Sequence, residues 1–198
     1  IARDLHDEMG AKLCRISFLS EHARRENHDE GEMRQQISTI ADASRELLHS
    51  LDEIVWAVNP HNDTLEHVAT YIGQYAQNYF HGTGLECELD IPEQFPPHPI
   101  SSQARHHVFL AVHEAFTNIL KHSGATRVKI TMRSSESSFE IRTLDNGHGF
   151  VPPPANGATH NGTGGDGLRN MRQRLESLGG RCEMESGAGS GTTISFVL

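Results

Sequence analysis

The sequence has few of the features that mark secreted, membrane-spanning or nucleic-acid-binding proteins. Its three cysteines, Cys14, Cys87 and Cys182, are scattered and form no CxxC pair, which argues against a disulfide framework or a zinc site and favours a reducing compartment. No apolar run approaches the ~18 residues of a membrane span, and no signal peptide is visible. A net charge of -9, with no basic run longer than Arg24-Arg25, argues against a nucleic-acid partner.

The chain also lacks an initiator methionine, and Ile1 already lies in a helical pattern. We therefore expect an excised piece of a longer protein, with any sensor region upstream of it. The piece is expected to work in the cytoplasm, alone or as the cytoplasmic portion of a membrane-anchored sensor. At 198 residues it has room for one or two domains.

Proline is absent from residues 1–58, whose apolar residues recur at helical spacing. This pattern predicts two helices joined by a polar turn, ENHDEG, that ends in Gly31, and Pro60 ends the second helix. Each helix has one narrow apolar stripe, which cannot enclose a core alone. We therefore predict a homodimer through residues 1–58, forming a four-helix bundle. The alternative is a helical hairpin that packs on the rest of its own chain.

After Pro60 the pattern changes to a mixture of helices and strands. Thr64 is a candidate N-cap for one helix, and Ser101 or Ser102 begins a long helix that runs to about His122. A third helix is predicted over residues 168–178. Five short segments read as strands: LECELDI, TRVKITMR, SFEIRTL, RCEMES and TTISFVL. These elements predict an α/β two-layer sandwich over residues 61–198, following a first domain of residues 1–60.

The long helix contains the segment HEAFTNILKH. Glu114, Asn118 and His122 are spaced by four residues, so they share one face, and Lys121 lies beside them. A carboxamide oxygen beside a lysine suits Mg²⁺ bound to phosphate, because this metal takes few protein ligands in addition to phosphate oxygens. Taken alone, the spacing favours a solvated polar face.

The segment LDNGHGF ends an apolar strand on Asp145. A carboxylate at this position can accept a hydrogen bond from an adenine amino group. Gly147 and Gly149 would allow a base to lie close to the backbone. The alternative explanation is an ordinary turn at the end of a strand.

The segment GTGGDGLRNMRQRL places Gly165 and Gly167 just before a helix predicted to begin at Leu168. Free backbone N–H groups and the positive end of that helix can bind phosphates. The segment is neither a GxxxxGK[ST] loop nor a Rossmann fingerprint. The residues before it, 151–165, have no periodic pattern and suit a lid over a nucleotide.

In this order and spacing, the segments resemble the GHKL ATPase superfamily and, within it, the sensor histidine kinases. HEAFTNILKH resembles their N box, DNGHGF their G1 box, GGDGL their G2 box and GSGTT their last nucleotide motif. IARDLHDEMGAKL is similar to the phosphoacceptor box of the nitrate-sensor-like and thermosensor-like subfamily. The resemblance implies a dimerisation and histidine phosphoacceptor domain over residues 1–60 and a catalytic ATP-binding domain of GHKL (Bergerat) type over residues 61–198.

The resemblance also implies ATP and Mg²⁺ as cofactors and assigns roles on the long helix. Asn118 would bind the Mg²⁺ that bridges the ATP phosphates. Glu114 would be an acidic partner near metal or water. Lys121 and His122 would lie near phosphate.

For the rest of the nucleotide site, the resemblance implies that Asp145 binds the adenine amino group and that Thr192 supports Asp145. The remaining matching residues would shape the pocket and its lid: Gly147, Gly149, Gly165, Gly167 and Leu168. The implied protein partner is the receiver domain of a response regulator.

His6 lies about a hundred degrees round the first helix from the apolar stripe through Leu5 and Met9. It is therefore expected on the flank of the bundle. The small residues Ala2 and Gly10, one turn away on either side, leave room for another domain to approach. Because an ATP-binding domain is predicted downstream, we interpret His6 as the phosphoacceptor.

A ring nitrogen of His6 could attack the γ-phosphoryl group, while Asp7 holds or deprotonates the other ring nitrogen. The phosphoryl group would then pass to an aspartate of the receiver domain. Five residues after His6, the similar subfamily has a Gln associated with dephosphorylation of the receiver, and this chain has Ala11. We therefore predict weak or absent phosphatase activity.

Three other functions stay open on the sequence. One is a non-catalytic dimeric scaffold that binds nucleotide, and another is a GHKL ATPase or serine kinase of a different branch. The third is a metal enzyme that uses the many histidines. For that function, His106, His107 and His113 lie on the long helix but lack HExxH spacing.

Overall fold

The computed structural model describes residues 2–25, 30–59, 63–135, 138–150 and 165–198. The chain divides into two compact units, Ile1–Asn59 and Pro60–Leu198. The first unit is helical, and the second combines helices with one sheet. Within the described ranges, no helix has both the length and the apolar character needed to cross a bilayer.

The first unit consists of α1 (Ala2–Arg25) and α2 (Glu30–Val58). Gly31 lies in the first turn of α2, so the prediction that it ends the connecting turn is wrong. The rest of that turn, residues 26–29, lies outside the described residues.

The described side chains of the two helices bury little apolar surface. Among the side chains of this unit that the structure describes, only Ala43 is buried. Leu13 is 50% exposed and Ile37 57%, although both belong to the predicted apolar stripes. Phe18 and Val55 are also exposed. A single copy of the unit therefore leaves apolar side chains uncovered.

The second unit begins with two capped helices, α3 (Leu65–Phe80) and α4 (Ser102–Asn118). The Thr64 hydroxyl accepts a hydrogen bond from the backbone N–H of His67, and the Ser101 hydroxyl accepts one from Ala104 at 3.1 Å. Both N-caps predicted from the sequence are thereby confirmed. The last helix, α5 (Gly165–Glu176), begins three residues before the predicted start at Leu168, so the glycine segment forms its first turn.

A five-stranded mixed sheet completes the unit, and all five predicted strands are present. They are β1 (Glu86–Asp90), β2 (Arg127–Ser134), β3 (Phe139–Asp145), β4 (Arg181–Ser186) and β5 (Thr192–Val197), in the order β1-β2-β3-β5-β4. Only the β1–β2 pair is parallel. Alternate residues of β2 and β3 are buried, as expected for a sheet that is covered by helices on one face.

The core of this unit lies between the helices and the covered face of the sheet. It comprises Val68, Ile72 and Ala76 of α3, Phe109, Val112 and Phe116 of α4, Met171 and Leu175 of α5, and Ile130, Met132, Ile141 and Phe196 of the sheet. This arrangement is the two-layer α/β sandwich that the sequence predicts. It brings the C-terminal end of α4 close to the ends of β3 and β5.

The long helix predicted to run to about His122 is confirmed, since helical backbone continues to Ser123, but its last turn is not a regular α-helix. Residues Ile119–Ser123 form a π-helical turn that ends at Gly124, whose φ is +61°. The backbone carbonyl of Ser123 accepts a hydrogen bond from the N–H of His148 at 2.9 Å. The wider turn is thus tied to the loop after β3. Such turns are frequent at functional sites.

Candidate functional site

A cavity of about 240 Å³ opens between the end of α4, the π-helical turn and the neighbouring ends of β3 and β5. Ala115, Ile119 and Ile194 give it an apolar floor. Six of the residues predicted for the nucleotide site line it: Asn118, His122, Asp145, Gly149, Leu168 and Thr192. An apolar cavity with a few polar side chains is typical of a small-molecule site.

Asp145 is the most deeply buried polar residue lining this cavity, with 3% of its surface exposed. It ends β3, where it is the register partner of Thr192 on β5. Its Oδ1 accepts a hydrogen bond from the backbone N–H of Gly147 at 2.8 Å. Burial raises the pKa of Asp145, while hydrogen bonds from the backbones of Gly147 and Thr192 and the nearby His148 partly offset that rise.

The loop after β3 is held by a residue to which the sequence analysis assigned no role. The side-chain carbonyl of Asn146 accepts hydrogen bonds from the backbone N–H groups of Thr126, at 3.0 Å, and Arg127, at 2.9 Å. Its amide also donates to the Thr126 hydroxyl at 3.0 Å. Asn146 thereby fixes the direction in which the chain leaves Asp145. An asparagine directly after a strand is the signal that could have identified it.

Gly147 and Gly149 are required by close backbone packing. A Cβ on Gly147 would collide with the carbonyl oxygen of Ser123. Gly149 has a φ of +61°, and a Cβ there would collide with the carbonyl oxygens of Gly187 and Gly191. The loop after β3 therefore packs directly on the glycine-rich turn between β4 and β5.

The polar residues of α4 and its π-helical turn do not all face the cavity. Asn118 and His122 line it, whereas Lys121 is exposed and is not among the lining residues. Glu114 is half-buried, and its Oε1 lies 3.4 Å from Nδ2 of Asn118. Glu114 thus contacts the cavity through Asn118.

His148 also lines the cavity, although the sequence analysis assigned it no role. Its Nδ1 lies 2.8 Å from the carbonyl oxygen of Gly149. A carbonyl oxygen only accepts hydrogen bonds, so Nδ1 carries the proton. This contact fixes the orientation of the ring at the cavity.

Two other histidines of α4 contact side chains away from the cavity. The ring of His107 lies 3.0 Å from the Ser177 hydroxyl, and that of His113 packs edge-on against Tyr75 and Tyr79. Among the described residues, no group of three or more His, Cys, Asp or Glu side chains is arranged to hold a metal ion. The alternative of a histidine-based metal enzyme gains no support from these residues.

Two parts of the predicted site fall on residues that are described in part or not at all. His6 and Asp7 lie within α1, and their side chains lie outside the described part of the structure. Of the predicted lid, residues 151–165, the first fourteen residues, 151–164, lie outside the described part of the structure. The backbone of Gly165 is described as the first residue of α5.

Two family models match the chain. Residues 1–63 match HisKA_3, described as histidine kinase, and residues 103–198 match HATPase_c, described as histidine kinase-, DNA gyrase B-, and HSP90-like ATPase. This chain belongs to the sensor histidine kinases of the HisKA_3 type. The HATPase_c match places the cavity in the ATPase part of this kinase core.

Named sensor kinases match along nearly the whole chain. Sensor histidine kinase YhcY of Bacillus subtilis is 25% identical over 198 residues, covering all of this chain and 48% of that protein. The nitrate/nitrite sensor protein NarX of Escherichia coli is 28% identical, covering 98% of this chain and 31% of that protein. This kinase core thus spans half or less of these relatives.

Solved structures share the fold. The histidine kinase domain of the blue-light activated histidine kinase EL346 from Erythrobacter litoralis superposes with a TM-score of 0.56 and is 19% identical, covering 98% of this chain and 94% of that one. The histidine kinase AdeS of Acinetobacter baumannii also gives a TM-score of 0.56, at 15% identity, covering 98% of this chain and 96% of that one.

Proposed function

We propose that this kinase core uses ATP and Mg²⁺ to phosphorylate its own His6 and then donates the phosphoryl group to an aspartate of a response-regulator receiver domain. The observation that carries the proposal is the cavity that holds Asn118 and His122 of the α4 region together with Asp145 and Thr192 of the sheet. These residues match the nucleotide motifs of the family in order and in chemistry. The segment that matches HisKA_3, residues 1–63, precedes them in the same chain and contains His6.

Asp145 suits recognition of the adenine amino group. It is a buried hydrogen-bond acceptor in a mostly apolar cavity, where a planar base would be shielded from water. Two backbone N–H groups already orient its carboxyl group, so little further ordering is required when a base binds.

The side chain of Asn118 fits a magnesium site. The Glu114 carboxylate beside it only accepts hydrogen bonds, so the Asn118 amide must turn its nitrogen toward Glu114. Its oxygen is then available as the kind of hard ligand that Mg²⁺ prefers. The metal, when bound, would supply positive charge against the phosphates.

His6 and Asp7 would carry out the transfer itself. The bond between the γ-phosphorus and the bridging oxygen of ATP breaks as a bond to a ring nitrogen of His6 forms, and ADP leaves. Asp7 would accept the proton from the other ring nitrogen or hold it in place. The phosphoryl group then moves from the nitrogen to a carboxylate oxygen of the receiver.

The helical unit supports a homodimer through residues 1–58. Leu13, Ile37 and Val55 are half or more exposed in a single copy. Pairing two hairpins into a four-helix bundle would remove this apolar surface from water.

Ala11, which is exposed on α1, has only a methyl group and cannot orient a water molecule, so phosphatase activity toward the receiver would be weak.

The chemical stability of the label tests the proposal. The purified chain is incubated with ATP labelled at the γ-phosphate and Mg²⁺, and the labelled protein is treated with acid and with base. A phosphohistidine is lost in acid and kept in base. An acid-stable label would indicate a serine kinase of another branch. ATP binding without any label would indicate a scaffold.

A further inference from the structure

Gly167 is a glycine whose backbone does not require one. It lies in the first turn of α5, and its φ is outside the left-handed region. Any L-residue could adopt this conformation, and alanine would favour the helix more than glycine does. The reason for a glycine must therefore lie in what surrounds it.

The space beside Gly167 is filled by Glu114 of α4. The three atoms nearest to a Cβ built on Gly167 all belong to that side chain. The Cβ would collide with Oε1 and lie 2.9 Å from Cδ, closer than real contacts allow. Any side chain at residue 167 would therefore displace the Glu114 carboxyl group.

The displaced group is the one that contacts Asn118. Oε1 of Glu114, the atom that a Cβ would strike, is also the atom 3.4 Å from Nδ2 of Asn118. We propose that Gly167 is a positioning residue: its missing side chain leaves room for the Glu114 carboxylate, which orients the Asn118 amide at the cavity. The consequence for Mg²⁺ rests on the proposed function, whereas the contact between Glu114 and Gly167 does not.

A double-mutant cycle without nucleotide tests the contact. Thermal unfolding is measured for the wild type, Gly167→Ala, Glu114→Ala and the double variant. When Glu114 is present, the collision with its carboxyl group cancels the stability that alanine normally adds to a helix. When Glu114 is replaced by alanine, that added stability is kept. The Tm change caused by Gly167→Ala is therefore more favourable in the Glu114→Ala background, by about 2–4 °C. Equal Tm shifts of Gly167→Ala in the two backgrounds would overturn the proposal.

A second cycle reads the effect on Asn118. Binding of a fluorescent ATP analogue is measured with Mg²⁺ and with EDTA, using the same four proteins. Gly167→Ala is expected to lose about tenfold of the Mg²⁺-dependent affinity and to keep the affinity in EDTA. The double variant should match Glu114→Ala. Asn170→Ala, an exposed position on the same helix, serves as the control and should change neither affinity.

Other results separate the two proposals. Gly167→Ala could instead lose the same factor of nucleotide affinity with Mg²⁺ and with EDTA, and this loss could add to that of Glu114→Ala in the double variant. That result would show that Gly167 acts as a hinge and would overturn its positioning role. A wild type that binds no nucleotide would contradict the proposed function. In that case the double-mutant cycle in thermal unfolding, which needs no nucleotide, would still test whether Glu114 and Gly167 are in contact.

Discussion

Asp145 and Thr192 are register partners where β3 ends and β5 begins, and the backbone of Thr192 hydrogen-bonds to the buried carboxyl group of Asp145. Gly147 donates to the same carboxyl group from the other side of the turn, at 2.8 Å. The side chain that the resemblance assigns to adenine is therefore held by backbone groups of the loop after β3 and of the first residue of β5.

Replacing Asp145 with Asn should weaken ATP binding and leave the fold intact. The amide can satisfy one backbone donor, but it lacks the charge that strengthens a bond to the adenine amino group. We expect the Kd for ATP to rise by tenfold or more, which is about 1.4 kcal/mol. Calorimetry would measure it, and an unchanged Kd would contradict the assignment of Asp145.

The same residue predicts a pH dependence of stability. Because burial raises the pKa of Asp145, the native state holds this proton more tightly than the unfolded chain does. Its stabilising contribution is complete below the unfolded value of about 3.9 and declines as the pH rises through the higher native value. Comparing urea unfolding of the wild type and Asp145→Asn from acid to neutral pH should show that this decline is absent in the variant.

Asn118→Ala should remove the effect of Mg²⁺ on nucleotide binding. The alanine has no oxygen ligand, so the affinity measured with Mg²⁺ should fall by about tenfold or more toward the affinity measured in EDTA. Asn78→Ala removes an exposed asparagine of α3 and is the matched control. If Mg²⁺ strengthens binding equally in Asn118→Ala and the wild type, the ligand assignment is wrong.

Alanine substitutions at Gly149 and Gly189 distinguish the cost of an unfavourable backbone conformation from the cost of a steric collision. Both have positive φ values, +61° and +78°. A Cβ on Gly149 meets two carbonyl oxygens, whereas one on Gly189 meets nothing within 4 Å. We expect Gly189→Ala to cost about 1 kcal/mol in unfolding free energy and Gly149→Ala to cost at least about 2 kcal/mol more. Equal costs in denaturant unfolding would show that the loop yields.

Ala11→Gln should increase phosphatase activity. Residue 11 is exposed on α1, so the longer side chain can be accommodated, and its amide can orient a water molecule. The test uses a receiver domain that accepts phosphate from this chain and follows the loss of its phosphoaspartate. Ala11→Leu supplies similar bulk without hydrogen bonding. Equal rates for the two variants would contradict this explanation.

Helix caps and strands that depend on residues close in sequence were predictable from the sequence. Thr64 and Ser101 cap their helices with side chains that act within three residues, and the strands follow alternation of apolar residues. The turn at Ile119–Ser123 was not predictable in this way. It is tied to the N–H of His148, 25 residues further along the chain, and helical periodicity contains no signal for such a contact.

The candidate site was predictable as a set of residues and not as a set of contacts. Motif order indicated Asn118, Asp145 and Thr192, which all line the cavity. The contact between Glu114 and Gly167 joins residues of two helices that are 53 positions apart, so it emerges only when α4 and α5 pack. Asn146 acts on the backbone of residues twenty positions earlier, which also depends on the folded sheet.

The most direct test of the account is the transfer of labelled phosphate from ATP to His6→Ala. His22→Ala, which removes an exposed histidine of the same helix, is the matched control. We predict that His6→Ala incorporates no acid-labile phosphate and binds ATP with the wild-type Kd, while His22→Ala is labelled normally. Acid-labile phosphate on His6→Ala at the wild-type level would contradict the central claim.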